Sequence, residues 1–237
     1  MNLDDERTNN TGPTLDTLVC DLEDVMNSYG PWDLNVGLMF CNVGNVCSRM
    51  GLLVEALMMY EKDLRIARCF TRNNDDLRVA GAHYNIGLTL CRLGRYSEAL
   101  MHLEEALRVR RDRLHPLQPE IADTLSCIGG ALALDGRPQD ALTQYEEALA
   151  CRQAALPPNH PSVAQSMLDL ATVQRSLGRS SAALELGTAA HAALLSTLGP
   201  DHNSTVAAAG LLGDISAILS GKVRFFISPW TLALMRS

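Results

Sequence analysis

One segment recurs along this chain about every 42 residues, and that recurrence constrains the fold more than any other property. Gly94 returns as Gly136 and Gly178, and once upstream, at a spacing of 43, as Gly51. Ile86-Gly87 returns as Val43-Gly44, Ile128-Gly129, Leu170-Ala171 and Leu212-Gly213. Ala99-Leu100 returns as Ala56-Leu57, Ala141-Leu142 and Ala183-Leu184, and Glu104-Glu105-Ala106-Leu107 as Glu146-Glu147-Ala148-Leu149. The connecting loops repeat as well: Leu114, Leu156 and Leu198 share one spacing with Pro116, Pro158 and Pro200. A period of this size means one supersecondary unit stacked on copies of itself.

The unit reads most clearly between Ala80 and Arg111. Ala80, His83, Tyr84, Gly87, Leu90 and Cys91 fall on one helical face, and Tyr96, Ala99, Leu100, Leu103, Ala106 and Leu107 on another. These are the i, i+3, i+4, i+7 spacings of helices with one buried side. Gly94 lies between them, where a helix end takes a residue that tolerates positive φ. Gly87, Ala99 and Ala106 are small where two helices must approach closely. One such hairpin cannot bury both faces, so neighbours must cover it.

The spacing therefore predicts an all-α protein of nine to ten helices, a right-handed α-solenoid of helical hairpins. Residues 1–14 are polar and acidic and predict a disordered lead-in. Residues 15–30 carry Leu15, Leu18, Val19, Leu22, Val25 and Met26 at helical spacing, with Thr14 as N-cap and Gly30-Pro31 as terminator. They read as a capping helix or as an acidic segment that folds onto the groove. The array occupies 33–221, about four and a half repeats, with Gly187 and Thr188 standing where the second repeat has Leu103 and Glu104. Residues 222–237, KVRFFISPWTLALMRS, abandon the pattern and hold Pro229. They read as an irregular C-terminal cap or as an apolar tail, with Lys222, Arg224, Phe225, Phe226 and Trp230 able to anchor weakly at a membrane interface.

Asn85-Ile86-Gly87, Leu93-Gly94-Arg95-Tyr96, Glu98-Ala99-Leu100 and Glu105-Ala106-Leu107, in that order, resemble the tetratricopeptide repeat. The long period, with Pro-Asn-His-Pro-Ser-Val-Ala at 158–164 and Leu-Gly-Pro-Asp-His at 198–202, is similar to the kinesin light chain-like variety of that family. The resemblance covers roughly residues 33–220. It implies a protein–protein interaction scaffold or adaptor. Kinesin light chains also carry a heptad coiled coil ahead of their repeats, which thirty residues cannot contain, so a related stand-alone repeat protein or a fragment is expected. A cell-polarity or signalling regulator, or an accessory domain of a larger enzyme complex, are the alternatives.

Charge and composition narrow the function further. Of the net charge of −7, residues 1–30 supply −6, and no basic stretch is present to follow a phosphate backbone. Nucleic acid is not expected as a partner. The seven cysteines are odd in number and form no CxxC, which suits free thiols in a reducing compartment. MNLDDER has neither the basic flank nor the apolar run of a signal peptide, and no stretch approaches the ~20 apolar residues of a membrane helix. The chain is expected in the cytoplasm, and a membrane role only through the C-terminal tail. No HExxH, phosphate-binding loop, dinucleotide fingerprint or nucleophile elbow occurs. Neither a catalytic site nor a metal site nor a cofactor is expected. His160 and His202 occupy equivalent loop positions and belong to the repeat template.

The candidate site is the concave face, which the first helix of each hairpin lines in such a stack. Fixing the repeat glycine as buried places Asn42 and Asn85 two residues before it, Asn45 one after, Arg49 and Arg92 five after, and Tyr84 three before. By resemblance to the family, the asparagine hydrogen-bonds the backbone of an extended peptide. Cys127 and Asp169 replace it in the third and fourth repeats, so recognition is expected in the first two. Amides offer both donor and acceptor to a backbone, and the arginines favour carboxylates. The expected ligand is an extended, net-acidic peptide of a partner protein, with residues 1–13 or 15–29 as an internal competitor. The alternative for Asn42 and Asn85 is a hydrogen bond to the neighbouring helix.

Overall fold

The computed structural model describes residues 15–71 and 76–221, and every regular element in them is helical. The acidic lead-in, the Thr14 cap and the apolar tail lie outside the described residues. The chain forms two compact units that divide between Pro116 and Leu117. The first holds α1 (Leu15–Tyr29), α2 (Leu34–Arg49), α3 (Leu53–Phe70), α4 (Leu77–Arg92) and α5 (Tyr96–Arg113). The second holds α6 (Pro119–Leu134), α7 (Pro138–Ala155), α8 (Pro161–Ser176), α9 (Ser180–Leu198) and α10 (Asn203–Leu219).

Local chemistry sets the boundaries. Asp33 and Asp76 cap α2 and α4, their carboxylates accepting from Asn35 N–H at 2.8 Å and Arg78 N–H at 2.7 Å. His160 and His202 do the same work for α8 and α10, each Nδ1 accepting from the backbone N–H two residues on. That gives the repeated histidines a structural role. The turn glycines Gly51, Gly94, Gly136 and Gly178 all have φ between 76° and 81°, the left-handed region expected of them.

Within the first three hairpins a small residue of the first helix faces a large one of the second. A Cβ at Gly44 would stand 2.7 Å from the Tyr60 ring, one at Gly87 2.6 Å from Leu103 Cγ, and one at Gly129 3.0 Å from the Tyr145 ring. The fourth repeat solves the contact differently. Gly187 stands in place of the bulky residue, and Leu212 from α10 approaches to 3.0 Å of where its Cβ would be. The gap in the signature is thus filled from the following helix.

Ala99 is fully buried, and its carbonyl lies 3.3 Å from the position of a Gly87 Cβ. Ala99→Leu is expected to force α4 and α5 apart at a cost of about 1–3 kcal/mol. A thermal melt reads this directly, and an unchanged midpoint would mean the crossing has slack. At the N-terminal end, α1 packs on α2, joining Leu22 to Val36, Phe40 and Ile66.

Candidate functional site: a polar groove between α2 and α4

Four of the six residues singled out from the sequence converge. Asn42, Asn45 and Arg49 on α2 and Asn85 on α4 line one cavity of about 620 Å³, together with Val46, Ser48, Leu88, Thr89 and Tyr60. Their positions follow from the caps and the buried glycines, which fix the rotation of both helices. No acidic side chain lines this cavity.

The hydrogen bonds divide these groups into committed and available ones. Tyr60 Oη donates to Asn45 Oδ1 at 2.8 Å. The amide nitrogen of Asn45 points at Cys41 Sγ at 3.9 Å, and that of Asn85 at the same sulfur at 3.5 Å. The latter is a weak contact to the neighbouring helix, so Asn85 keeps its amide oxygen for another partner. The side chains of Asn42 and Arg49 have no hydrogen-bond partner among the described residues. Cys41 itself is pushed up from the ordinary thiol range, chiefly by burial and then by the Asp63 carboxylate, and is a poor nucleophile. Burial, reinforced by the Cys41 sulfur, pushes the Tyr60 phenol up to about 12, so it remains a donor at any working pH.

Arg92 and Tyr84 are placed otherwise. Arg92 is exposed, but its Nη1 donates to the Ser48 carbonyl at 2.9 Å and to Ser48 Oγ at 2.6 Å. It thereby adds a second donor to the Ser48 carbonyl, which already accepts from Gly51 N–H at 3.1 Å, at the C-terminus of α2, where a cation is favoured. Tyr84 lies outside the cavity, and the buried Arg110 guanidinium stacks over its ring with 4.5 Å to the centroid. Tyr60 and Ser48 are the participants that helical phase did not single out. A signal for Tyr60 existed: it takes the place of Leu103 opposite a glycine, and a buried phenol needs a hydrogen-bond partner.

In the second unit, Asp169 takes the asparagine's position and bonds to Gln165 Nε2 at 3.0 Å, its carboxyl pushed up by burial. Among the described residues no group of three His, Cys, Asp or Glu could hold a metal ion. No helix among them is long and apolar enough to cross a membrane.

The sequence matches the profile of the tetratricopeptide repeat over residues 35–112 and 120–196, more than half of the chain. No curated protein sequence matches it at a comparable level. Among solved structures, a Podosopora anserina protein described as kinesin light chain nearly identical TPR-like repeats superposes with a TM-score of 0.67 at 21% identity, covering 81% of this chain and 89% of that one. BtubC (BKLC) from P. vanneervenii gives 0.72 at 15% identity, covering 87% and 82%. Aspartyl phosphate phosphatase F from Bacillus subtilis gives 0.73 at 14% identity, covering 88% of this chain and 52% of that one. At these identities the likeness is one of fold.

Proposed function

Because the chain belongs to the tetratricopeptide repeat family, we propose that it is a non-enzymatic protein–protein interaction scaffold that holds an extended acidic peptide in the groove between α2 and α4. The supporting observation is a cavity lined by Asn42, Asn45, Arg49 and Asn85 in which Asn42 and Arg49 are uncommitted among the described residues and no acid competes. A peptide backbone meets donor and acceptor at Asn42, an acceptor at Asn85, and a guanidinium at the mouth. Arg92 borders the strip and holds the end of α2 in place. Tyr84 supports it from the α5 side. The long repeats shared with kinesin light chain-like structures support an adaptor role. All described cysteines are free, as a reducing cytoplasm would keep them.

The experiment is a peptide-array comparison of wild type, Asn42→Ala and Arg49→Glu, with melts run on each. Both substitutions are expected to leave stability within about 0.5 kcal/mol. Arg49→Glu is expected to weaken capture of acidic peptides about thirtyfold, about 2 kcal/mol. Equal capture by all three proteins would remove the groove from consideration. Arg92→Glu is the less suitable probe, since losing the Ser48 bonds destabilises α2 by about 1 kcal/mol.

A further inference from the structure

The first repeat departs from the template at two facing positions. Where the second, third and fourth repeats place Ala106, Ala148 and Ala190, each fully buried, the first places Asp63. Where they place Ala80, Ala122 and Ala164 on the first helix, the first repeat has Gly37. The two changes fit each other. A Cβ at Gly37 would stand 3.1 Å from Asp63 Oδ1, with Ile66 Cγ2 at 3.2 Å and Arg78 Nη2 at 3.3 Å, so the glycine leaves room for the carboxylate and its neighbours.

Asp63 is only 6% exposed. Its nearest cation, Arg78 Nη2, is 3.8 Å away and donates instead to the Leu34 carbonyl at 3.0 Å. No donor hydrogen-bonds the carboxylate among the described residues. Burial pushes its carboxyl up to about 6, with Arg78 pulling the other way. A carboxylate this buried is costly unless it is paired and hydrogen-bonded. Three repeats stack without it, so stacking does not require it.

The carboxylate sits in a small cavity of about 170 Å³ whose other walls are Leu38, Cys41, Gly81, Ala82, Asn85 and Arg78, the last with its guanidinium turned to the Leu34 carbonyl. Asn85 also lines the polar groove, which makes the two cavities neighbours. We infer that this cavity is a subsite for one basic side chain of the bound polypeptide, its aliphatic stem against Leu38, Gly81 and Ala82 and its cationic head on Asp63. As a statement about a bound polypeptide this rests on the groove reading above. Leu38 and Arg49 are eleven residues apart on one helix, about 16 Å at 1.5 Å per residue. An extended peptide covers that distance in about five residues. The preferred ligand is therefore acidic where it meets Arg49, with a lysine or arginine about five residues away.

Three measurements on the full chain test this. In an NMR titration, Nα-acetyl-lysine methylamide should shift Leu38, Cys41 and Ala82 saturably, at least tenfold more weakly in Asp63→Asn. No response, or an equal response to the neutral norleucine analogue, would overturn the subsite. The variant Asp63→Ala restores the template alanine and should raise the melting temperature; a fall would make Asp63 a structural partner of Arg78. In peptide display, ligands whose retention depends on Asn42 and Arg49 should be enriched in a basic residue, and Asp63→Asn should abolish that enrichment. Groove-dependent ligands without a basic preference would sink the subsite and leave the groove reading standing. A lysine response at Asp63 with no groove-dependent ligand would do the reverse.

Discussion

Between pH 7 and pH 4.5, the first unit is expected to lose about 2 kcal/mol of stability through one buried histidine. His83 is 5% exposed and lies between two side chains. Arg68 Nη2 is 3.1 Å from its Nε2, and His102 Nδ1 is 3.0 Å from its Nδ1. Arginine can only donate, so His83 Nε2 accepts. The proton of His83 is then on Nδ1 and is donated to His102, whose own proton is on Nε2. A second proton on His83 would point at the guanidinium. Burial first, and then His102 and Arg68, lower its pKa to about 4, with Glu105 opposing.

The sign follows from linkage. In the unfolded chain the group titrates near 6.5, so between 6.5 and 4 the unfolded state binds more protons. Stability is full above about 6.5 and declines as pH falls to 4, by up to about 3 kcal/mol at 1.36 kcal/mol per pKa unit. His102, lowered chiefly by burial, adds in the same direction. Asp63, pushed up to about 6, runs the other way, gaining stability as pH falls from 6 towards 4. The histidine contribution is therefore read as a difference. His83→Gln can accept from Arg68 and donate to His102 without titrating. Urea denaturation of both proteins at several pH values should show the wild type losing ground to His83→Gln below pH 6.5. A flat difference would mean that His83 titrates normally in the folded chain.

Arg152→Met is expected to destabilise the second unit by about 3 kcal/mol. The Arg152 side chain is 10% exposed and joins three helices. Its Nη1 donates to Ser126 Oγ on α6 at 2.9 Å and to Ser166 Oγ on α8, and its Nη2 to Asp123 Oδ1 on α6 at 2.6 Å. Hydrogen bonds to charged groups contribute about 1.5–3 kcal/mol each. Asp123 is half exposed and recovers water when the guanidinium is removed, which holds the total near the value of two such bonds. Ser166 keeps a longer bond to the Ser162 carbonyl, 3.3 Å, so it is not left wholly unpaired. Methionine retains the apolar stem, and the loss measured is then that of the guanidinium rather than of packing. Hydrogen exchange of α6 to α8 resolves the effect locally. Unchanged protection there would show that helix packing alone holds these three elements together.

The sequence by itself determined the repeat, the helices and their faces. Hydrophobic period, cap residues and turn glycines are local or nearest-neighbour properties, and a stack of similar units copies each local solution into the next. Hence Gly94 and its equivalents take positive φ as expected, and Asn42, Asn45, Arg49 and Asn85 share one cavity. Helical phase fixes the direction of each Cβ, which is enough to place short side chains such as asparagine.

Phase does not fix where a long side chain ends. Arg92 and Tyr84 have Cα positions in the expected register, yet one reaches back to Ser48 and the other packs under Arg110. Which partner a guanidinium or a phenol takes depends on donors and acceptors presented by other helices, distant in sequence. The same holds for Asp63. Its departure from the alanine template is readable in the sequence, but only the packed helices put it opposite Gly37 and beside a cavity that ends at Asn85. The backbone architecture follows from periodic local energetics, whereas the pairing of polar side chains is decided by tertiary distances of a few ångströms.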